Sequence, residues 1–255
     1  MMLWYKAWLE TRWRFVIGLL MLVASAIAVV MVYPRVLALM PLAATVDVGG
    51  EIGRRIREAA ELSRDYRGYI WSQWFRQNLM EFGTLFAVLL GVGGLLSQRG
   101  DAVLFTLSMP VSRNRLVGVR VAVGLAELLV LSIVPQLVIP LVSPAVGQSY
   151  SVGDVLVHGV CAFVACGVFF SLAFLLSTVF TDVWRPLLIA LALAVTLAFC
   201  EQFAFGAPRF GVFEVMSAES YFRSGSVPWL GLLMSASASA ALLYGAARNI
   251  ASRDF

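Results

Sequence analysis

Apolar residues in this 255-residue chain gather into six long runs separated by short polar stretches. Phe15 to Val32 and Val227 to Ala247 carry no charge, Leu79 to Leu96 carries only Glu81, and Leu187 to Phe205 only Glu201. Val155 to Phe180 contains one polar ring, His158, while Val117 to Val142 contains Arg120 and Glu127. A helix rises 1.5 Å per residue, so runs of ~18–26 residues reach roughly 27–39 Å, enough to cross a hydrocarbon core. The pattern predicts six transmembrane helices over 15–32, 79–96, 117–142, 155–180, 187–205 and 227–247, with Pro135 and Pro140 bending the third. The first run is longer than the h-region of a signal peptide, and Tyr33-Pro34-Arg35 lacks the small residues of a cleavage site, so it reads as a retained span.

Three polar stretches have a pattern of their own. In residues 1–14, Leu3, Trp4, Ala7 and Trp8 share one helical face and Lys6, Glu10 and Arg14 another, which predicts an amphipathic interfacial helix. Such a helix either anchors in the headgroups or forms an elbow that also touches a partner. Residues 33–78 make the one large external segment. Within it Ile52, Ile56, Ala59, Ala60 and Ser63 repeat at helical spacing, with Glu51, Arg55, Glu58 and Glu61 offering opposite charges three or four apart. Tyr66, Tyr69, Trp71 and Trp74 then form an aromatic belt. This predicts one or two helices at the outer surface, serving either as a salt-bridged cap or as a lid over an exit path. Residues 97–116 join the second and third spans and carry an apolar turn (Val103, Leu104, Leu107), Pro110 and the basic pair Arg113 and Arg115. That content suits docking, on anionic lipid or on another protein.

Composition sharpens the class. Hydrophobic residues are 60 % and charged residues 13 %, against about 25 % charged in soluble domains, and mean hydropathy is +0.86. Together these predict an all-α membrane protein with one transmembrane domain over residues 1–255. With the N-terminus inside, the inner loops hold ten basic residues and the outer loops nine, seven of the latter in the single segment 35–78. Short loops decide orientation, so both termini are expected in the cytoplasm. Lys6 is the sole lysine and does not follow a glycine, which excludes a P-loop in this chain, and a lone His158 excludes the His-x-x-x-His zinc site. Cys161, Cys166 and Cys200 do not form a disulfide framework, and no metal-ligand spacing is present. No cofactor and no nucleic acid are expected on this chain.

Few polar residues lie inside the spans. Glu127 sits about ten residues into the third, roughly 15 Å deep, where a lone carboxylate costs about 2.5–3.5 kcal/mol on the insertion scale. Arg120, seven residues earlier on nearly the same face, is placed to pair with it through water. Glu127 lies either on a substrate path or dimer seam, or in a structural bond between spans. Glu201 and Gln202 allow the same substrate-path reading or a bland interfacial one. Gly91-Val92-Gly93-Gly94 and the Ser/Ala run 235–241 offer close helix approach, within the chain or between two copies.

At residues 97–116 the chain resembles the permease subunits of ABC transporters of the type 2 exporter class. The likeness rests on Leu107-Ser108-Met109-Pro110-Val111-Ser112-Arg113, followed by Asn114-Arg115-Leu116, within a six-span layout that has a basic, Trp-containing N-terminus. The family usually has a Glu near the start of this stretch and a Gly-Thr pair after it; here Ser97-Gln98 and Asp101-Ala102-Val103 stand in those places. The resemblance implies a subunit that couples through Arg99, Asp101, Leu104, Leu107, Pro110, Arg113 and Arg115 to a separate nucleotide-binding ATPase carrying ATP and Mg. It also implies a second permease copy, the same chain or a close paralogue, and a bacterial inner membrane. Few polar anchors in the spans suit a hydrophobic or amphiphilic cargo. The other classes open at this point are an intramembrane enzyme acting on lipid or peptide, and a non-transporting membrane scaffold or immunity protein.

Overall fold

The structure, a computed structural model, describes residues 2–44, 50, 61–93, 113–203 and 211–252, and every regular element among them is helical. In chain order these are α1 (Met2–Ala44), α2 (Tyr66–Ile70), a π-helix π1 (Trp71–Asn78) and α3 (Leu79–Gly91). After residues 94–112 come α4 (Arg113–Val142), a 3-10 turn (Ser143–Val146), α5 (Val152–Val179) and α6 (Trp184–Phe203). Two short helices, α7 (Val212–Ser217) and α8 (Glu219–Ser224), precede α9 (Trp229–Ala251).

Five helices are long and apolar enough to cross a membrane: 3–39, 115–146, 152–179, 184–201 and 229–251. The expected span over 79–96 is not among them. Its described helix, α3, has 13 residues, and the turns before it are polar and aromatic, but helix runs unbroken from Tyr66 to Gly91.

The interfacial helix expected over residues 1–14 is not a separate element. Residues 2–44 form one helix, because no glycine or proline stands at Arg14-Phe15 to break it there. Pro34 and Pro41 lie inside α1, and Pro135 and Pro140 inside α4, as apolar helices in lipid permit.

α5 is the hub, packing on α3, α4, α6, α7 and α9. Small residues allow the close approaches. A Cβ on Gly91 of α3 would lie 2.4 Å from the carbonyl oxygen of Phe170, and one on Gly124 of α4 would lie 2.6 Å from its ring. On the other side Gly167 faces Ser239 of α9. Both small-residue runs noted in the sequence therefore serve packing within the chain, at least through Gly91 and Ser239.

π1 explains how the aromatic belt is used. Its i→i+5 bonding widens the turn and directs Trp71, Trp74 and Phe75 inward, all three fully buried. Asn78 Nδ2 donates to the Gln73 carbonyl oxygen at 2.9 Å, and Trp71 Nε1 to the Ser217 carbonyl oxygen at 3.0 Å. The belt is core, not a lipid-facing rim.

Two polar layers bound the bundle. One contains Glu10, Thr11, Arg14, Arg120 and Glu127; the other contains Tyr33, Tyr66, Tyr69 and Ser143. Along α1, Thr11 and Tyr33 are separated by ~33 Å of helix rise, close to the thickness of a hydrocarbon core. The run from Tyr66 to Gly93 begins in the second layer and ends in the first.

Candidate functional site

The C-terminal end of α3, which precedes residues 94–112, is held by two arginines. The last turn of any helix leaves carbonyl oxygens without partners. Here Arg14 of α1 donates from Nη1 to the carbonyl oxygens of Leu89 and Val92, at 2.9 and 2.6 Å. Arg120 of α4 donates from Nη2 to the carbonyl oxygen of Gly93 at 2.6 Å, and its Nη1 pairs with Glu10 of α1. A cation also complements the negative end of the helix dipole.

Gly93 makes this approach possible. Its φ of +101° is open to glycine, and a Cβ there would sit 3.0 Å from Nη1 of Arg14. Any other residue would both strain the backbone and push the guanidinium away.

Glu127 completes the layer. Its Oε1 accepts from the Thr11 hydroxyl at 2.7 Å, while Oε2 is buried without a hydrogen-bond partner among the described residues. The pairing expected between Arg120 and Glu127 is replaced. Arg120 takes Glu10, because α1 crosses α4 at this level and brings a carboxylate within direct reach, whereas Glu127 lies two turns further along the same helix. Beside the charges, Ala7 packs on Val119 and Val123, so water is excluded from one flank. The result is two arginines and two glutamates binding three helices at one point: the ends of α1, α3 and α4.

The residues expected from sequence distribute unevenly around this clamp. Arg99, Asp101, Leu104, Leu107 and Pro110 lie outside the described residues. Arg113 opens α4, with its side chain outside the described set, and Arg115 is exposed on the first turn. Glu127 is in the clamp. Glu201 is at the opposite end, half-buried, where its carboxylate accepts from the amides of Val212 and Phe213 at 2.8 and 3.0 Å and caps α7. The side chain of Gln202 lies outside the described residues. Glu10 and Arg14 were visible in the sequence as a polar stripe with Lys6. That stripe suits the headgroup layer or a partner; in the structure Arg14 faces α3 and Glu10 faces α4.

The opposite layer carries a second set of bonds. Asp154, near the start of α5, accepts from Arg67 Nε at 3.0 Å and from the Tyr221 hydroxyl at 2.9 Å. Phe222 stacks on Trp71, with ring centroids 4.4 Å apart and planes 6° from parallel. Arg67 lies over the Phe222 ring and Arg76 over the Trp71 ring, at 5.5 and 5.6 Å. His158 packs on Phe75 at 4.0 Å and donates from Nδ1 to the Asp154 carbonyl oxygen, which fixes its tautomer. Burial raises the phenol pKa of Tyr150 in this layer. Among the described residues no three His, Cys, Asp or Glu side chains come together as a metal site.

No family model, curated protein or solved structure matches this chain.

Proposed function

We propose that the chain is the membrane-spanning permease subunit of an ATP-driven exporter. On this reading two copies, or one copy and a close paralogue, work with a separate ATPase that holds ATP and Mg. The run from Tyr66 to Gly91 is then the second of six crossings, and both termini lie in the cytoplasm of a bacterial inner membrane. Residues 97–116 are the segment that the ATPase grips, with Arg113 and Arg115 at the base of α4 in reach of it. The cargo is hydrophobic or amphiphilic, since the spans offer it few polar partners.

The observation that supports this reading is the clamp. Charges taken out of water cost several kcal/mol each unless they are well paired. A bend that merely reversed the chain would need no such investment at its root. Because Arg14 and Arg120 hold α3 through Leu89, Val92 and Gly93, a displacement of the following segment is delivered to α1 and α4 at the same moment. Mechanical input at one short segment is thus spread over three helices, which is what a subunit driven by another chain requires.

The test is affinity purification of the full chain from its native membrane, followed by mass spectrometry and an ATPase assay. The expected result is a co-purifying chain with a Walker motif and ATPase activity that is lost on changing Pro110→Ala with Arg113→Ala. Absence of any ATPase, or turnover of a lipid or peptide by the chain alone, refutes the assignment; the latter outcome places it among intramembrane enzymes.

A further inference from the structure

At the end of the bundle opposite the clamp, α6, π1 and the start of α3, and the α7–α8 pair enclose a crevice of ≈ 650 Å³. That lies within the ~300–1,000 Å³ of small-molecule sites. Its floor is apolar, formed by Met80, Ala198 and Phe213, and the residue after Ala198, Phe199, is 57 % exposed on the outside of α6. Its walls are charged with both signs.

The internal pairing of those charges decides what is left for a ligand. Glu219 is engaged by Arg223 Nε at 2.7 Å. Glu201 is engaged by two backbone amides. The Glu214 carboxylate accepts from the Ser220 hydroxyl, at 3.0 Å, and among the described residues no cation pairs with it. Arg76 lies over the Trp71 ring, and among the described residues no carboxylate pairs with it. Among the described residues, one crevice therefore presents a cation and an anion that no ion pair neutralises. Glu201 closes the apolar stretch of α6, which sets the crevice at headgroup depth.

We propose that this crevice binds the headgroup of a zwitterionic phospholipid carrying a primary ammonium. Its phosphate lies against Arg76, its ammonium donates to Glu214 and Glu201, and its acyl chains stay in the bilayer along α6. An Arg–phosphate contact and an ammonium–carboxylate contact are both charge-assisted, and each requires a different part of the same headgroup. An anionic lipid without the ammonium satisfies Arg76 but meets the field of Glu214. The site needs no nucleotide and no companion protein, so it stands independently of the exporter reading.

The experiment is native mass spectrometry of the full-length protein released from detergent micelles containing equimolar phosphatidylethanolamine and phosphatidylglycerol. One phosphatidylethanolamine is retained in preference to phosphatidylglycerol by about ten-fold, the ratio that one such differential contact supplies. Arg76→Gln and Glu214→Gln each bring the ratio near unity, Arg76→Lys keeps most of it, and Arg185→Gln, at the other end of the bundle, leaves it unchanged. Since Arg76 also covers Trp71, thermal unfolding of each variant is recorded; Glu214→Gln, which loses only a serine contact, carries the test if Arg76→Gln unfolds early. Equal retention of the two lipids by the unaltered protein overturns the proposal, as does a preference that survives both substitutions. Displacement of the lipid by glycerophosphoethanolamine at equal concentration overturns the lipid as the source, and assigns the site to a soluble ligand of the same chemistry.

Discussion

Replacing Arg120 by Met takes away the hydrogen bond to the Gly93 carbonyl oxygen and the ion pair with Glu10, while keeping most of the side-chain volume. A hydrogen bond from a charged donor contributes about 1.5–3 kcal/mol. The ion pair lies between the buried and exposed limits, since the Arg120 side chain is 8 % exposed and that of Glu10 is 29 % exposed. Solvent screening at Glu10 reduces its share to about 1–2 kcal/mol. The net loss is about 2.5–5 kcal/mol, or roughly a 70–5,000-fold increase in the unfolding constant. Reversible unfolding in mixed dodecyl maltoside and dodecyl sulfate micelles, followed by tryptophan fluorescence, measures it. Arg185→Met is the control, because that side chain is 72 % exposed and paired with Asp182 one turn away. A double-mutant cycle with Glu10→Gln should return a coupling of about 1 kcal/mol or more. The reasoning fails if Arg120→Met is no more destabilising than Arg185→Met, or if the two changes in the cycle are additive.

Gly91→Ala should destabilise by about 1–3 kcal/mol in the same assay, because the new methyl meets the Phe170 backbone oxygen and Ala173 rather than a flexible side chain; a neutral result would mean α3 and α5 are less closely packed than described. The buried phenol of Tyr150 has a raised pKa, so the folded state disfavours its ionised form. Stability is then fully present below the unfolded value near 10 and falls as pH rises above it. Absorbance at 295 nm should therefore show a tyrosine class that ionises only together with the loss of helix, and free titration of every tyrosine in the intact fold would contradict this.

The long apolar runs declared themselves in the amino-acid order, since a lipid-crossing helix needs little more than length and the absence of charge. Four of the observed spans begin or end within a few residues of the expected limits, and the first merely extends further at both ends. The second run illustrates the boundary of that reading. Its helix draws its first turns from Tyr66 to Asn78, whose polar and aromatic residues look like a surface belt until the π-helical register turns Trp71, Trp74 and Phe75 into the core. Hydropathy counts what a side chain is and carries no information on which side of a widened turn it lies.

The polar residues mark the same division more sharply. Charge within or beside an apolar run is visible in the one-dimensional order, and Glu10, Arg14, Arg120 and Glu127 each stood out there. Which of them meet was decided by helix crossing alone. Glu127 was seven residues from Arg120 and on its face, yet Arg120 took a partner 110 positions away, because α1 passes α4 at that level. Fold class and the identity of the unusual residues thus follow from local chemistry, which the solvent imposes residue by residue. The clamp at the end of α3 and the unmatched charges in the opposite crevice follow from contacts between distant segments, and these exist only once the helices have packed.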